Sequence, residues 1–217
     1  MKTIPHFAFV LLFTTMLIAL LPTDAEAKIY DDTIRLHILA NSDSSEDQTL
    51  KIEIRDRLLL KYGEKLKGSS SISEAEAKAN EFLEEIEADT EKWITELGYN
   101  YKAKVTLTQE WYETRDYEEF SLPCGYYTSL RVIIGEGDGK NWWCVMYPPL
   151  CMEMATEASP ADDGLIDYSK EEIKLIKSGK YKVKFKLLEM ASQLNSTSSS
   201  SRVTGQLIVR FVSWAMV

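Results

Sequence analysis

The chain has 217 residues, 34 acidic against 25 basic, and a net charge of −9. A chain of this length buries its own core in one domain. The acidic balance argues against nucleic acid as a partner, because phosphate contacts are made mainly by Lys and Arg.

The first element is the apolar run "FAFVLLFTTMLIALL" from Phe7 to Leu21, preceded by Lys2 and followed by Pro22 and the "AEA" of Ala25 to Ala27. Weak positive charge, a short apolar core and an A-x-A site in that order read as a secretory signal. Residues 1–27 are therefore expected to be cleaved off, leaving one secreted domain over residues 28–190. The competing reading is an uncleaved membrane anchor, but the run is shorter than the ~20 apolar residues of a usual spanning helix. Cys124, Cys144 and Cys151 all lie in the part expected to be exported, where disulfides persist, and an odd count leaves one thiol over.

"IRLHILA" alternates Ile34, Leu36 and Ile38 with Arg35, His37 and Leu39, a strand pattern. In "NSDSSEDQTLKIEIRDRLLLKY" the period changes: Leu50, Ile54 and Leu58 recur every fourth residue, and Ser44 with Asp47 forms an S-x-x-D helix start. A Ser-rich hinge, "GSSSIS", leads to a second helix, with Ser73 and Glu76 as its capping box, Ile72 as its staple and Gly98 at its end. "YKAKVTLT" is a half-buried strand and "YTSLRVII" another. The acidic stretch 157–164 is a loop, "SKEEIKLIKSG" a short capped helix, and "YKVKFKL" an edge strand guarded by lysines. Residues 191–217 are a Ser-rich linker and an apolar tail of unassigned role. The order of elements predicts an α+β domain: a mainly antiparallel sheet with two longer helices packed on one face and a short third helix.

The stretch "GEGDGKNWWCVMYPPLC", Gly135 to Cys151, decides between chemistries. A P-loop needs G-x-x-x-x-G-K-[ST]; here the spacing is one residue short and Asn141 stands where the hydroxyl should be. Asp138-Gly139 is instead a hairpin signal, placing Val132 opposite Val145 and stopping the ladder at Pro148-Pro149. Cys144 and Cys151 flank that stiff turn and are either bridged or two buried free thiols.

Of the two histidines only His37 lies beyond the signal, so His37 with a cysteine is the one thiol-imidazole pair that could support an exported cell-wall hydrolase. No C-x-x-C pair suggests zinc, and "NSDSSED" lacks the turn glycine and terminal glutamate of a calcium loop. No cofactor is expected.

Two blocks, "IRLHILANSDSSEDQTLKIEIRDRLL" (Ile34 to Leu59) and "LPCGYYTSLRVIIGEGDGKNWWCVMYPPLC" (Leu122 to Cys151), resemble the signature blocks of the stage II sporulation protein R family. The resemblance implies a secreted signalling ligand in the space between forespore and mother-cell membranes. It implies activation of a membrane-embedded aspartic protease, stage II sporulation protein GA, at its extracellular face, with processing of the sigma-E precursor. The membrane is then met only through that partner, and no catalytic residues are implied. The matching positions, Asn41, Asp43, Gln48, Arg55, Arg131, Asn141, Trp142 and Trp143, are the candidates for partner binding. The two tryptophans are expected on opposite faces, one in the core and one as an anchor.

Overall fold

The computed structural model describes residues 4–18, 23–117, 120–151 and 168–178. The expected loop at 157–164, the strand "YKVKFKL" and the tail 191–217 lie outside them. An apolar helix α1, Ile4–Ile18, comes first, with Phe9 to Phe13 exposed. No helix among the described residues is long and apolar enough to cross a membrane. Helix α2, Asp24–Asp31, runs through the expected cleavage point, and Ile29 just beyond it is fully buried in the core.

Strand β1 (Ile34–Leu39) is buried at all six positions because it has a neighbour on each side. The other strands among the described residues are β2 (Ala103–Tyr112), β3 (Arg115–Asp116), β4 (Ser121–Leu122), β5 (Gly125–Ile134) and β6 (Asn141–Tyr147). The main sheet runs β2-β5-β1-β6, and β3 pairs with β4 apart from it. β1 is parallel to β5 and antiparallel to β6, while β2 is antiparallel to β5, so the α+β sheet is mixed.

The expected hairpin does not form. Val132 lies beside Ile38 and Val145 beside Arg35, so β1 stands between the two strands that were expected to pair. The connection 135–140 must therefore span two strand spacings, roughly 10 Å, which a two-residue turn cannot do. Its left-handed residues are Gly135 (φ 59°) and Gly137 (φ 69°), and its backbone bonds to the end of β1: Gly139 N–H donates to Ala40 O at 2.9 Å and Asp138 N–H to Asn41 O at 3.2 Å.

The helices cover the sheet face that carries Leu36, Ile38, Leu130 and Val132. Helix α3 (Ser45–Leu58) starts where expected, Asp47 N–H donating to Ser44 Oγ at 3.1 Å. It turns Leu50, Ile54 and Leu58 into the core and continues through a π-helical turn, Leu59–Gly63, into α4 (Glu64–Lys67). The second helix begins two residues earlier than expected: Ser71 is its cap, and Glu74 reaches back to the Ser70 N–H at 2.8 Å. Ile72 is therefore the first helical residue and not a staple. Glu76 is freed for Thr128, whose hydroxyl donates to it at 2.5 Å. At Phe82 the helix bends, dividing α5 (Ile72–Glu81) from α6 (Leu83–Glu96). Gly98 (φ 88°) closes it with Tyr99 N–H on Ile94 O and Gly98 N–H on Thr95 O, a Schellman pair. The short helix α7, Lys170–Ser178, is capped reciprocally by Ser169 and Glu172.

Candidate functional site

The candidate residues fall into three groups around the C-terminal end of β1. The first is a latch. Asn41 Oδ1 accepts the Glu136 N–H at 3.1 Å, Asp43 Oδ1 accepts the Lys140 N–H at 2.7 Å, and Lys51 Nζ donates to Lys140 O at 2.8 Å and to Gln48 Oε1 at 2.7 Å. Behind them Asp47 accepts from Asn41 Nδ2 (2.9 Å) and Ser42 Oγ (2.6 Å), and Gln48 Nε2 donates to Ser42 O. Burial works to raise the Asp47 pKa, but hydrogen bonds from Ser42, Asn41, Tyr101 and Ser44 outweigh it and hold the carboxyl below its ordinary range. Burial pushes Lys51 down. Glycine is required at 135 and 139, because a Cβ would meet the Asn41 amide at the one and the Ser42 carbonyl at the other. Asn41, Asp43 and Gln48 thus hold the protein's own loop.

The second group lies on the sheet face away from the helices. His37 Nδ1 stands 3.0 Å from Glu110 Oε2 and its Nε2 3.0 Å from Asn141 Oδ1, while the ring stacks on Trp143 with centroids 3.6 Å apart. A carboxylate only accepts, so Nδ1 carries a proton. Glu110 belongs to β2 and reaches across β5 at Ser129, whose hydroxyl donates to it at 2.6 Å and meets the Tyr112 hydroxyl at 2.7 Å. Burial again opposes ionisation, and the His37 and Ser129 hydrogen bonds with the Arg131 charge outweigh it, so Glu110 sits below its ordinary range. Arg131, 3.5 Å from Glu110, keeps 36% of its side chain exposed. Deeper on this face Arg35 is fully buried. It donates to Cys144 O (3.1 Å) and the Tyr117 hydroxyl (3.0 Å) and stacks 4.3 Å over Tyr112.

The third group is on the helix side, where the Arg55 guanidinium lies 5.0 Å over Trp142 and pairs with Asp56 at 2.6 Å. Trp142 and Trp143 do face opposite ways, and both are half-buried. The sequence reading missed Glu110, Ser129 and Arg35. The alternation of "IRLHILA" had put Arg35 beside His37, but nothing local named the partners.

Cys144 and Cys151 form a disulfide with Cα atoms 6.2 Å apart. Cys124 is buried outside the bridge, seven residues before Arg131, the β5 neighbour of His37, which is roughly 20 Å along the strand. The structure therefore brings no thiol to His37, and the thiol-imidazole pair required by a hydrolase reading is not assembled. Among the described residues no group of His, Cys, Asp and Glu is placed to hold a metal ion.

A family model described as stage II sporulation protein R matches residues 30–157. The stage II sporulation protein R of Bacillus subtilis (strain 168) is 40% identical over 123 residues, which cover 57% of this chain and 55% of that protein. The chain thus spans about half the length of that curated relative. No solved structure matches the chain.

Proposed function

The chain belongs to the stage II sporulation protein R family, and from that premise we propose that it is an exported signal activating the membrane-embedded aspartic protease stage II sporulation protein GA, so that the sigma-E precursor is processed. The observation that carries this reading is the extent of the family match. Residues 30–157 take in all six strands of the described residues, the latch and the His37 group, so the part shared with the family is the described sheet and not one motif. On this reading the domain works between the forespore and mother-cell membranes, after loss of residues 1–27, and binds the active form of the protease more tightly than the inactive one.

The contact surface we assign is the half-open sheet face. Arg131, Asn141 and Trp143 are held there by His37 and Glu110, which gives a pre-formed polar and aromatic patch at little ordering cost. Asn41, Asp43 and Gln48 act indirectly, by fixing the loop that leads into Asn141. The test is to co-produce the chain, the protease and the sigma-E precursor in a non-sporulating host. Cleavage that requires all three is expected, and its absence with every component present refutes the proposal.

A further inference from the structure

β2 is an edge strand among the described residues, and an open edge offers alternate N–H and C=O groups to whatever lies beside it. At its start this edge is closed from within. Glu91 of α6 accepts the Ala103 N–H at 3.3 Å, and Glu87, one helical turn earlier, accepts the Val105 N–H at 2.9 Å. The next step of the same pattern sets Leu83 against Leu107, and Leu83 has no acceptor to offer. There the helix bends at Phe82 and α5 departs. By the two-residue repeat of a strand, the N–H groups of Leu107, Gln109 and Trp111 face the same outward side. Among the described residues β5 alone pairs with β2, on the other side, and nothing bonds to these N–H groups.

The open part of the edge borders a groove between α5 and the sheet, with Ser73, Glu76 and Asn80 on one wall and Gln109 and Thr128 on the other. The groove is acidic: Asp31 lies near enough that the Glu76 charge adds to burial in raising its carboxyl pKa. Two residues further along each strand, on the same face, Trp111 (37% exposed) and Tyr126 (45%) meet edge to face at 5.3 Å.

We propose that this edge receives an extended peptide segment of a protein partner as an added strand along Leu107 to Trp111. The segment sets a Lys or Arg over Glu76 and, two residues away, an apolar side chain on the Trp111–Tyr126 pair. Main-chain bonds to the three open positions supply affinity, and alternate side chains supply selectivity. A glycan would use the aromatic pair but leave the row of N–H donors unmatched, so peptide is the better fit. The inference does not depend on which protein the partner is.

The test selects a phage-displayed library of random ten-residue peptides on the purified full chain. Enriched peptides should carry Lys or Arg two residues from an aromatic or aliphatic residue. Their binding should be tenfold or more weaker in Gln109→Pro than in Gln109→Ala, which loses the same side-chain bond to Thr128 Oγ1 (2.7 Å) but keeps the outward N–H, at a position where an edge strand tolerates proline, while the two variants share one melting curve. Glu76→Lys should turn the selection toward acidic peptides. Should Gln109→Pro fail to fold, amide exchange on the parent chain gives the same answer: Leu107, Gln109 and Trp111 should slow when an enriched peptide is added. Lack of enrichment, binding indifferent to both substitutions, unslowed amides, or quenching of Trp111 by an amino-sugar oligosaccharide with no peptide enriched would each overturn it.

Discussion

Buried Asp47 and part-buried Glu110 are carboxylates held below their ordinary pKa range because several donors converge on each. A group whose folded pKa lies below its unfolded one stabilises the fold fully above the unfolded value, and that contribution disappears as pH falls through the folded value. The unfolding free energy should therefore decline as pH drops below about 4. Asp47→Asn should lower stability at pH 7 by roughly 1–3 kcal/mol, since donors to the carboxylate lose their acceptor, and should flatten the acid limb. Urea denaturation at pH 7 and pH 3.5 measures both. The glycines give a second contrast. Gly139→Ala pushes a Cβ into the Ser42 carbonyl and should cost about 1–3 kcal/mol, whereas Gly68→Ala meets nothing within 4 Å and should change stability by no more than about 1 kcal/mol either way. Equal melting temperatures for the two variants would contradict the latch.

The bridge between Cys144 and Cys151 closes a short loop at the end of β6. Loop-closure entropy puts its worth at about 2 kcal/mol, so the double Cys→Ser variant should melt several degrees lower, as calorimetry would record. Elements whose cause is local were legible in the sequence. Ser44 capped α3 as its spacing required, and the alternation of β1, β2 and β5 held. The α5 cap slipped from Ser73 to Ser71 because the serines at 69, 70, 71 and 73 make several caps locally equivalent, Glu74 pairs with Ser71 and reaches back to Ser70, and Glu76 accepts from Thr128 instead. The hairpin failed for a different reason. Asp138-Gly139 is a strong local turn signal, but the strand that separates β5 from β6 was made about a hundred residues earlier, and no window around Gly139 contains it. The His37 group was hidden in the same way: its members come from β1, β2, β5 and β6, and only the strand order brings them together.

For the whole molecule, the proposed signalling role and the stability of the fold are separable. Arg131→Glu reverses charge at a part-exposed position, so precursor cleavage in the co-production assay should fall tenfold or more while the melting temperature moves by only a few degrees. Ile54→Ala, beneath the helix layer, should do the reverse of a surface change, costing roughly 2–5 kcal/mol and lowering activity only in proportion to folded protein. If Arg131→Glu cleaved like the parent, the sheet face would not be the contact.

The position of β1 has one more effect. Its flanks wait for strands that the chain supplies later, Thr128 to Ile133 on one side and Asn141 to Tyr147 on the other. A polypeptide appearing from its amino end thus holds the strand that is buried at every position unmatched until some hundred residues have followed, and a copy interrupted anywhere before Tyr147 leaves the middle of its sheet incomplete.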